Sequence, residues 1–328
     1  MNFQCKNCGG NVVWSPEKHA MECPYCGGID CEAVEGDASV TVCAACGGEV
    51  SINELTSASR CEYCGNSLVF NERVEGNYKP DSIIPFSVSK DMAVTAMESE
   101  FRKRIFTPAS FLSEKTLKEL NGFYVPFFMY DFDAESIFVG TGTKVRRWRS
   151  GNYDYTETSY YEIRRRMQAS YDNIPVDASY SMDDTKMDLM EPYDYSELMG
   201  FNPKYLSGFF GEIYNDTKDK FADRAKKKAV ASASTLLHES IKSYATVSST
   251  VDETTLRDGK VDYTLFPVWK YTYAYAGKTY DFFINGQSGK VIGKTPVSLS
   301  KVILYGLTVG GFTFGLLQFA LRILAEVL

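Results

Sequence analysis

The sequence has few histidines and lacks the short motifs that mark common catalytic sites. Only two of its 328 residues are histidines, His19 and His238. No GxSxG, HExxH or GxxxxGK[ST] pattern occurs, and the run GTGTK at residues 140–144 matches only part of the last one. Since nucleophile elbows, zinc-protease helices and phosphate-binding loops each need their motif, we expect no enzymatic activity from this chain.

An excess of basic residues and a secretory leader are absent as well. The chain has 35 Lys and Arg against 42 Asp and Glu, a net charge of −7. Its first ten residues, MNFQCKNCGG, contain no basic segment followed by an apolar one. We therefore expect a reducing compartment, in which disulfide bonds do not persist. No low-complexity run occurs, and the composition is typical of a globular protein.

Cysteine is present in an ordered pattern. Eight of the nine cysteines form two copies of C-x2-C, fourteen residues, C-x2-C, and each ligand of the second copy follows its counterpart by 38 residues. The first copy is Cys5, Cys8, Cys23 and Cys26, and the second is Cys43, Cys46, Cys61 and Cys64. Four thiolates at this spacing form a closed tetrahedral Zn²⁺ site with no position left for water. The pattern predicts two structural Zn²⁺ ions.

Two other interpretations of the cysteines are a disulfide framework and redox-active C-x-x-C pairs. The first needs an oxidising compartment, and the second is typical of a βαβ context that this region lacks. Cys31 belongs to neither set and is interpreted as a spare thiol. His19 lies between ligand pairs and could replace a cysteine, but the four-thiolate set is already complete.

The predicted ribbons, residues 1–35 and 36–70, are acidic. They contain three basic and nine acidic residues, a net charge of −6 before each four-thiolate zinc centre adds −2. Nucleic-acid affinity depends largely on phosphate neutralisation by Lys and Arg. We therefore do not expect nucleic acid to be a partner of the ribbons, and we interpret them as protein-contacting or structural modules.

A long uncharged run lies near the other end. Residues 302–321 hold 20 residues without a charge, between Lys301 and Arg322. A helix of this length spans about 30 Å, the thickness of a bilayer's hydrocarbon core. We predict a transmembrane helix at residues 298–322 with a short tail at 323–328. A buried core helix is the other interpretation.

Flanking charges and glycines add detail to this span. Lys290, Lys294 and Lys301 precede it and Arg322 alone follows, which predicts a single-pass protein of the cell membrane with its N-terminal bulk in the cytoplasm. Two small-xxx-small pairs lie on different flanks of the helix, Gly306 with Gly310 and Gly311 with Gly315. Either these pairs permit close packing in a homo- or hetero-oligomer, or they reflect the frequency of Gly in membrane helices.

Between the ends we predict a polar linker at residues 71–80 and an α+β domain on antiparallel sheet at 81–297. Ser89 caps an expected helix at 90–104, a short helix follows Ser113, and a long helix covers 216–244. Stretches rich in Tyr, Phe, Val, Ile and Thr predict strands at 123–140, 143–150 and 155–171, and a β meander at 261–293. Helices flank runs of strands without βαβ alternation, which favours the α+β class.

The clearest candidate for a binding surface in this domain is a basic hairpin. Its cationic and aromatic residues are Lys144, Arg146, Arg147, Trp148, Arg149, Arg164, Arg165 and Arg166. Because side chains alternate along a strand, Lys144, Arg146 and Trp148 should share one face. The ligand could be anionic lipid, an acidic protein or nucleic acid, or the charges could simply protect a solvated sheet edge.

The whole chain resembles a family of bacterial membrane-anchored proteins with paired N-terminal zinc ribbons of the transcription-factor-IIB type, the YdjG-like proteins. The resemblance rests on the doubled CxxCGG and CxYCG blocks, IIPFSVSKDMAVTAM, GFYVPFFMYDFDAES and LFPVWKYTYAYAGKTYDFFINGQSGKVIGKTP. It implies a membrane docking platform that acts in envelope-stress response, with SPFH-domain and phage-shock-protein-A-type proteins as partners. The chain has a single clear span, so the resemblance does not extend to a recruiting role that depends on further membrane segments.

These observations favour a non-enzymatic, membrane-anchored scaffold or adaptor. In this hypothesis the cytoplasmic ribbons and the α+β domain recruit protein partners to the membrane. The alternative is a membrane-tethered nucleic-acid-binding regulator that uses the basic hairpin at 144–166. A third interpretation makes the acidic ribbons an autoinhibitory lid on that hairpin.

Overall fold

A computed structural model describes residues 3–29, 42–43, 45–50, 52–112 and 119–327. Cys31 and most of the short helix expected after Ser113 lie outside these ranges. The strands are β1 (Val13–Ser15), β2 (Ala20–Glu22), β3 (Thr56–Arg60), β4 (Ser67–Val69), β5 (Ser82–Ile83), β6 (Asn121–Ser150), β7 (Tyr153–Asp177), β8 (Met199–Gly200), β9 (Phe210–Glu212), β10 (Thr246–Tyr275), β11 (Lys278–Asn285) and β12 (Val291–Ile292). The α-helices are α1 (Lys90–Arg102), α2 (Asp184–Met190), α3 (Lys218–Glu239) and α4 (Leu299–Val327).

Three very long antiparallel strands dominate the fold. β6 and β10 have 30 residues each and β7 has 25. At about 3.3 Å per residue, β6 alone is roughly 95 Å long. The sequence predicted this region as separate shorter stretches, because no local signal reports that β6 keeps a paired neighbour along its whole length. Beyond the rest of the sheet these strands continue as a three-stranded part, formed by residues 130–142 of β6, 161–174 of β7 and 247–261 of β10. We call this part the arm.

The sheet of the body is mixed. Its strand order is β12-β11-β10-β6-β9-β3-β4. β10 occupies one edge of β6, while β9 and then β7 share the other edge. Most pairs are antiparallel, as predicted, but the pairs β5–β10 and β6–β9 are parallel. Both parallel pairs join segments far apart in sequence, which local patterns do not reveal.

The helix α3 covers one face of the arm. Its buried residues Ala225, Ala229 and Ala233 form the predicted stripe, and the small side chains let the helix lie close to the strands. Farther along, Leu237 and Ile241 pack on the arm in one cluster with Phe138 and Ile163. The helix is shorter than the predicted range. It ends at Glu239, and residues 240–245 form turns that lead into β10.

Aromatic rings fill the core of the body. The ring of Phe86 lies 4.1 Å from that of Phe209 and 5.1 Å from both Tyr124 and Trp269, measured between centroids. Nearby, Ser89 caps α1 as predicted, accepting a hydrogen bond from the Met92 N–H at 3.4 Å. The core holds the starts of β6 and β9 together with the end of β10, and so joins the arm to the rest of the body.

Residues 71–80 pack on the body. Val74 is buried, and the Tyr214 hydroxyl donates to the Asn77 carbonyl at 2.7 Å. The hairpin β3–β4 continues into the central sheet through β9. The predicted boundaries at 70 and 81 therefore divide the chain by composition, whereas packing continues across them.

A carboxyl group is buried at the end of β7. The side chain of Asp177 has no exposed surface, and its Oδ1 accepts the Ser179 N–H at 3.0 Å. Burial, reinforced by Asp184, raises the pKa of Asp177 to about 8, although the Ser179 N–H and Arg224 act in the opposite direction. Arg224 itself is paired with Asp184 at 2.9 Å, so the buried group borders an ion-pair network.

This buried group predicts a pH-dependent stability. An unfolded aspartate titrates near pH 3.9, so the contribution of Asp177 is complete below about pH 4 and is lost by about 1.4 kcal/mol per unit as pH rises towards about 8. Asp177→Asn cannot ionise, and its stability relative to the wild type should increase over that range. Unfolding of the full-length protein at about pH 5, 7 and 9 measures the difference. Exposed Asp172 on the same strand supplies the control Asp172→Asn, and a pH-independent difference for Asp177→Asn would refute the assignment.

Candidate functional site

The two cysteine sets converge as the sequence predicted. Within each set the four Sγ atoms lie within 4.8 Å of one another. Four sulfurs bound tetrahedrally at about 2.3 Å from one ion are about 3.8 Å apart, and disulfide sulfurs are about 2.05 Å apart. The closest Sγ pairs are 3.5 and 3.6 Å apart in the first set and 3.6 and 3.7 Å in the second. The donors thus fit a metal ion, and none of the eight cysteines forms a disulfide.

Backbone turns prepare these sulfurs for a cation. Gly9, Gly27, Gly47 and Gly65 follow the four knuckles with φ values of 70 to 74°, a left-handed conformation that glycine adopts without strain. At Cys61 burial opposes ionisation, but N–H groups of Cys64 and Tyr63 bonded to the sulfur prevail and lower the pKa to about 7. Such N–H donors stabilise a thiolate, the form that binds metal.

The centres are built into the body. Ribbon 1 docks through Trp14, whose indole N–H donates to the Phe86 carbonyl at 3.2 Å and whose backbone N–H donates to the Ser207 carbonyl at 3.0 Å. In ribbon 2, Cys61 directly follows β3, the strand that pairs with β9. The sequence contained no signal for these contacts, because the partners lie at least 72 residues apart in the chain.

The C-terminal helix leaves the body at a fixed base. Leu299–Ile323 is long and apolar enough to cross a membrane, and its most apolar window has no buried residues. At its start Lys301 donates to the Thr107 carbonyl at 2.6 Å, and Tyr305 packs on Phe106 with centroids 5.4 Å apart. A Cβ added at the four predicted packing glycines, Gly306, Gly310, Gly311 and Gly315, would meet nothing within 4 Å. Their role in helix association stays a prediction.

Beyond the arm, β6 and β7 continue alone as a two-stranded ribbon. β10 begins opposite Thr143, whose partner on β7 is Tyr160, so residues 144–159 have no third strand beside them. We call residues 144–160 the distal hairpin. As predicted, Lys144, Arg146 and Trp148 share one face, and the Arg146 guanidinium lies 5.4 Å from the Trp148 ring centroid. On the same face Tyr155 stacks on Trp148 with centroids 5.4 Å apart and planes at 10°.

The remaining basic residues divide between other positions. Arg147 and Arg149 point to the opposite face of the distal hairpin, since strand neighbours alternate. Arg164–Arg166 pair with Val139, Phe138 and Ile137, roughly 40 Å from the turn. Arg164 and Arg166 also have carboxylate partners, Glu162 and Glu135. The eight residues singled out in the sequence therefore do not form one patch.

The lid interpretation of the ribbons does not agree with the structure. Ribbon 2 joins the sheet through β9, which pairs with β6 at Phe123 and Tyr124. Lys144 lies twenty residues farther along β6, roughly 65 Å away. The ribbons therefore do not cover the distal hairpin of their own chain. Sequence charge alone suggested a pairing that the length of β6 prevents.

Two arrangements in the structure resemble catalytic features. The run GTGTK is part of β6, and a Cβ at Gly142 would lie 2.7 Å from the Tyr244 ring, so glycine permits close packing there. Ser234, His238 and Asp252 lie together, with Nδ1 of His238 2.8 Å from the Ser234 carbonyl and Nε2 3.1 Å from Asp252. Because a carbonyl only accepts, Nδ1 must donate there and cannot take the hydroxyl proton.

Sequence reasoning missed the tyrosines of the distal hairpin. Tyr153, Tyr155 and Tyr160 are 71%, 44% and 73% exposed. Counting strand register outward from the turn residues Gly151 and Asn152 would have placed Tyr155 opposite Trp148. The sequence therefore contained a signal for Tyr155, although the neighbouring arginines are the more conspicuous feature of this segment.

Comparison with known proteins identifies a relative along nearly the whole chain. YdjG, an uncharacterized protein of Bacillus subtilis (strain 168), is 36% identical over 325 residues, which cover 96% of this chain and 95% of YdjG. No family model matches the sequence. No solved structure matches it significantly either.

Proposed function

The chain belongs to the family of YdjG, and on this premise we propose that it is a membrane-anchored scaffold that recruits protein partners. The observation that carries the proposal is the separation of two exposed features. The apolar helix α4 leaves the body beside Thr107, whereas the distal hairpin lies at the far end of β6. A molecule with an anchor at one end and a binding surface at the other is suited to holding a partner near a membrane.

In this proposal both metal centres hold structural Zn²⁺. Four-thiolate donor sets with sulfur separations near those of a tetrahedral zinc site support this choice over hard cations, which prefer oxygen ligands. The metal would stabilise the ribbons, which dock on the body through Trp14 and β3. Coordination by four protein ligands leaves no position for substrate.

Topology follows from charge and redox chemistry. Lys290, Lys294 and Lys301 precede the apolar segment, and thiolate ligands persist in a reducing compartment. We propose that α4 crosses the cell membrane once and that the body and arm lie in the cytoplasm. The family resemblance makes SPFH-domain and phage-shock-protein-A-type proteins the first partners to examine, in the context of envelope stress.

A nucleic-acid-binding regulator is the second candidate, favoured by arginines on both faces of the distal hairpin. A two-stranded ribbon fits the DNA major groove, which is about 12 Å wide. Against it, the aromatic rings of Trp148 and Tyr155 lie on one face, and carboxylates such as Asp154 and Glu157 lower the net charge. Tyr, Trp and Arg are also the residues that dominate protein–protein hot spots.

The scaffold proposal is tested by the location of other proteins. Membrane and cytosolic fractions of the native host, with and without the gene, are compared by quantitative mass spectrometry. We expect one or more soluble proteins to leave the membrane fraction when the chain is absent and to return when the full-length chain is restored. If no protein changes fraction, the scaffold function is wrong.

A further inference from the structure

The face of the distal hairpin that lies on the α3 side is uncovered, although it continues a covered face. From Phe132 to Gly142 the even-numbered residues of β6 are buried, and from Lys144 onward all residues are exposed. The pairing of β6 with β7 continues without a register shift over this region, so the face is the same one. Burial stops because α3 ends at Glu239 and the chain then turns into β10.

We propose that this face docks an acidic amphipathic helix of a partner protein, laid end to end with α3. The inference rests on the proposed scaffold function and names the chemistry of the partner. We call the face, with Lys144, Arg146, Trp148, Tyr153 and Tyr155, the docking face. The docking face follows residues 144–150 of β6, a length of about 23 Å, which a helix of about 15 residues would span.

The docking face, which also carries Glu157 opposite Arg146, combines apolar area with a net positive charge. The stacked Trp148 and Tyr155 rings are 42% and 44% exposed, and Tyr153 is 71% exposed. Lys144 lies 5.3 Å from the Tyr244 ring, the aromatic residue at the end of the α3 segment, so cations begin where the covered face ends. The Lys144 and Arg146 cations contact aromatic rings, and among the described residues neither forms an ion pair, although Glu157 lies opposite Arg146. Acidic side chains flanking an apolar stripe would complement this pattern.

A helix is favoured over an added strand because the docking face is a sheet face and not an edge. α3 already demonstrates the packing mode on the same two strands, with Leu237 and Ile241 against Phe138 and Ile163. The opposite face of the distal hairpin lacks an aromatic pair, since Arg147 faces Thr156 and Arg149 faces Asp154. A partner that needs apolar contact therefore has one face to choose.

The position of the distal hairpin argues against the membrane that would hold α4 as the ligand of the docking face. β10 begins next to the distal hairpin at Thr246, and its Tyr273 hydroxyl is 2.8 Å from the Ser110 hydroxyl, near the base of α4. The docking face and the helix base are thus at opposite ends of the long strands. If the distal hairpin entered the groove of a DNA duplex, the cations of both faces would contact the DNA. The test below distinguishes this case from a helix bound to one face.

Site-specific photo-crosslinking in the native host tests the proposal with the full-length chain. A benzoylphenylalanine is placed at Tyr155 on the docking face or, as the matched control, at Thr156 on the opposite face. We expect Tyr155 to capture a partner peptide rich in Asp and Glu that is helical in the partner, at a yield about tenfold above Thr156, corresponding to about 1.4 kcal/mol of contact preference.

Charge reversal supplies the second measurement. Lys144→Glu with Arg146→Glu should reduce the Tyr155 crosslink roughly 30-fold, as loss of an interface hot spot does. Arg147→Glu with Arg149→Glu changes net charge equally on the other face and should leave the yield within about threefold. Both variants should keep the wild-type metal content and membrane fraction, which excludes misfolding.

Several results would overturn the proposal. These are equal capture from Tyr155 and Thr156, capture of nucleic acid or lipid, capture of a basic or non-helical segment, equal effects of the two charge reversals, or no crosslink above the unirradiated background. If one of these results is obtained but deletion of the chain releases proteins from the membrane fraction, the scaffold function stands and this inference alone fails. If no protein leaves it, the scaffold function itself is wrong.

Discussion

Replacing Cys61 with Ser should remove one of two bound metal ions and loosen the body, not ribbon 2 alone. Cys61 is buried and directly follows β3, which pairs with β9, and β9 pairs with β6. Structural zinc contributes roughly 10–16 kcal/mol of folding free energy in small zinc domains, and whole domains are stable by only about 5–15 kcal/mol. Losing one thiolate should therefore disorder ribbon 2 and free the sheet edge at β3.

Metal analysis and hydrogen exchange measure this effect. We expect about one Zn²⁺ per chain in place of two, and loss of amide protection across β3, β4 and β9. Cys31→Ser removes a thiol of neither set and should change nothing. Cys5→Ser should remove the other ion with less effect on the central sheet, since β1 and β2 form a separate two-stranded sheet. Two retained ions or full protection of β9 in Cys61→Ser would contradict the assignment.

Truncation after Lys301 should release the chain from the membrane that we propose it spans. It removes residues 302–328, whose described side chains are exposed and do not belong to the hydrophobic core. It keeps Lys301 and its bond to the Thr107 carbonyl, so the body should stay folded. The main packing loss is the contact between Tyr305 and Phe106. We expect the pelleted fraction to fall from nearly all of the chain to under about 10%, since a single span supplies the insertion energy.

A full-length variant separates spanning from peripheral attachment. Gly310→Arg with Gly311→Arg places two charges in the middle of the apolar segment, each costing about 2.5–3.5 kcal/mol on insertion. A spanning helix should be expelled, whereas Gly306→Ala with Gly310→Ala should remain inserted. Carbonate extraction of membranes distinguishes the states. If the truncated chain still binds protein-free vesicles, the anchor lies elsewhere.

Local patterns were sufficient for the metal ligands and for several elements. A knuckle needs only two cysteines and a glycine within five residues, so its chemistry is readable from spacing. Likewise, Ser89 begins α1, and the alanine stripe from Ala225 to Ala233 identifies the buried face of α3. In each case the interacting residues lie within a few turns of chain, where periodicity carries the information.

Contacts between distant segments were not predictable in the same way. The parallel pairs of β6 with β9 and β10 with β5 join residues more than eighty positions apart. The basic residues from Lys144 to Arg166 look like one cluster in sequence. In the long β6–β7 hairpin they lie at two distances from the turn and on both faces. Separation along a hairpin is set by the turn position, and proximity in sequence is misleading there.

The amino-acid sequence by itself determined the two four-thiolate sets and the apolar segment at residues 302–321, because both depend on residue type and spacing over short stretches. Only the tertiary structure decided that ribbon 2 shares a sheet with β9 and that α3 stops short of the distal hairpin. The physical reason is that covering a face requires another segment to lie on it. Which segment does so, and where it ends, depends on packing between parts of the chain that are far apart in sequence.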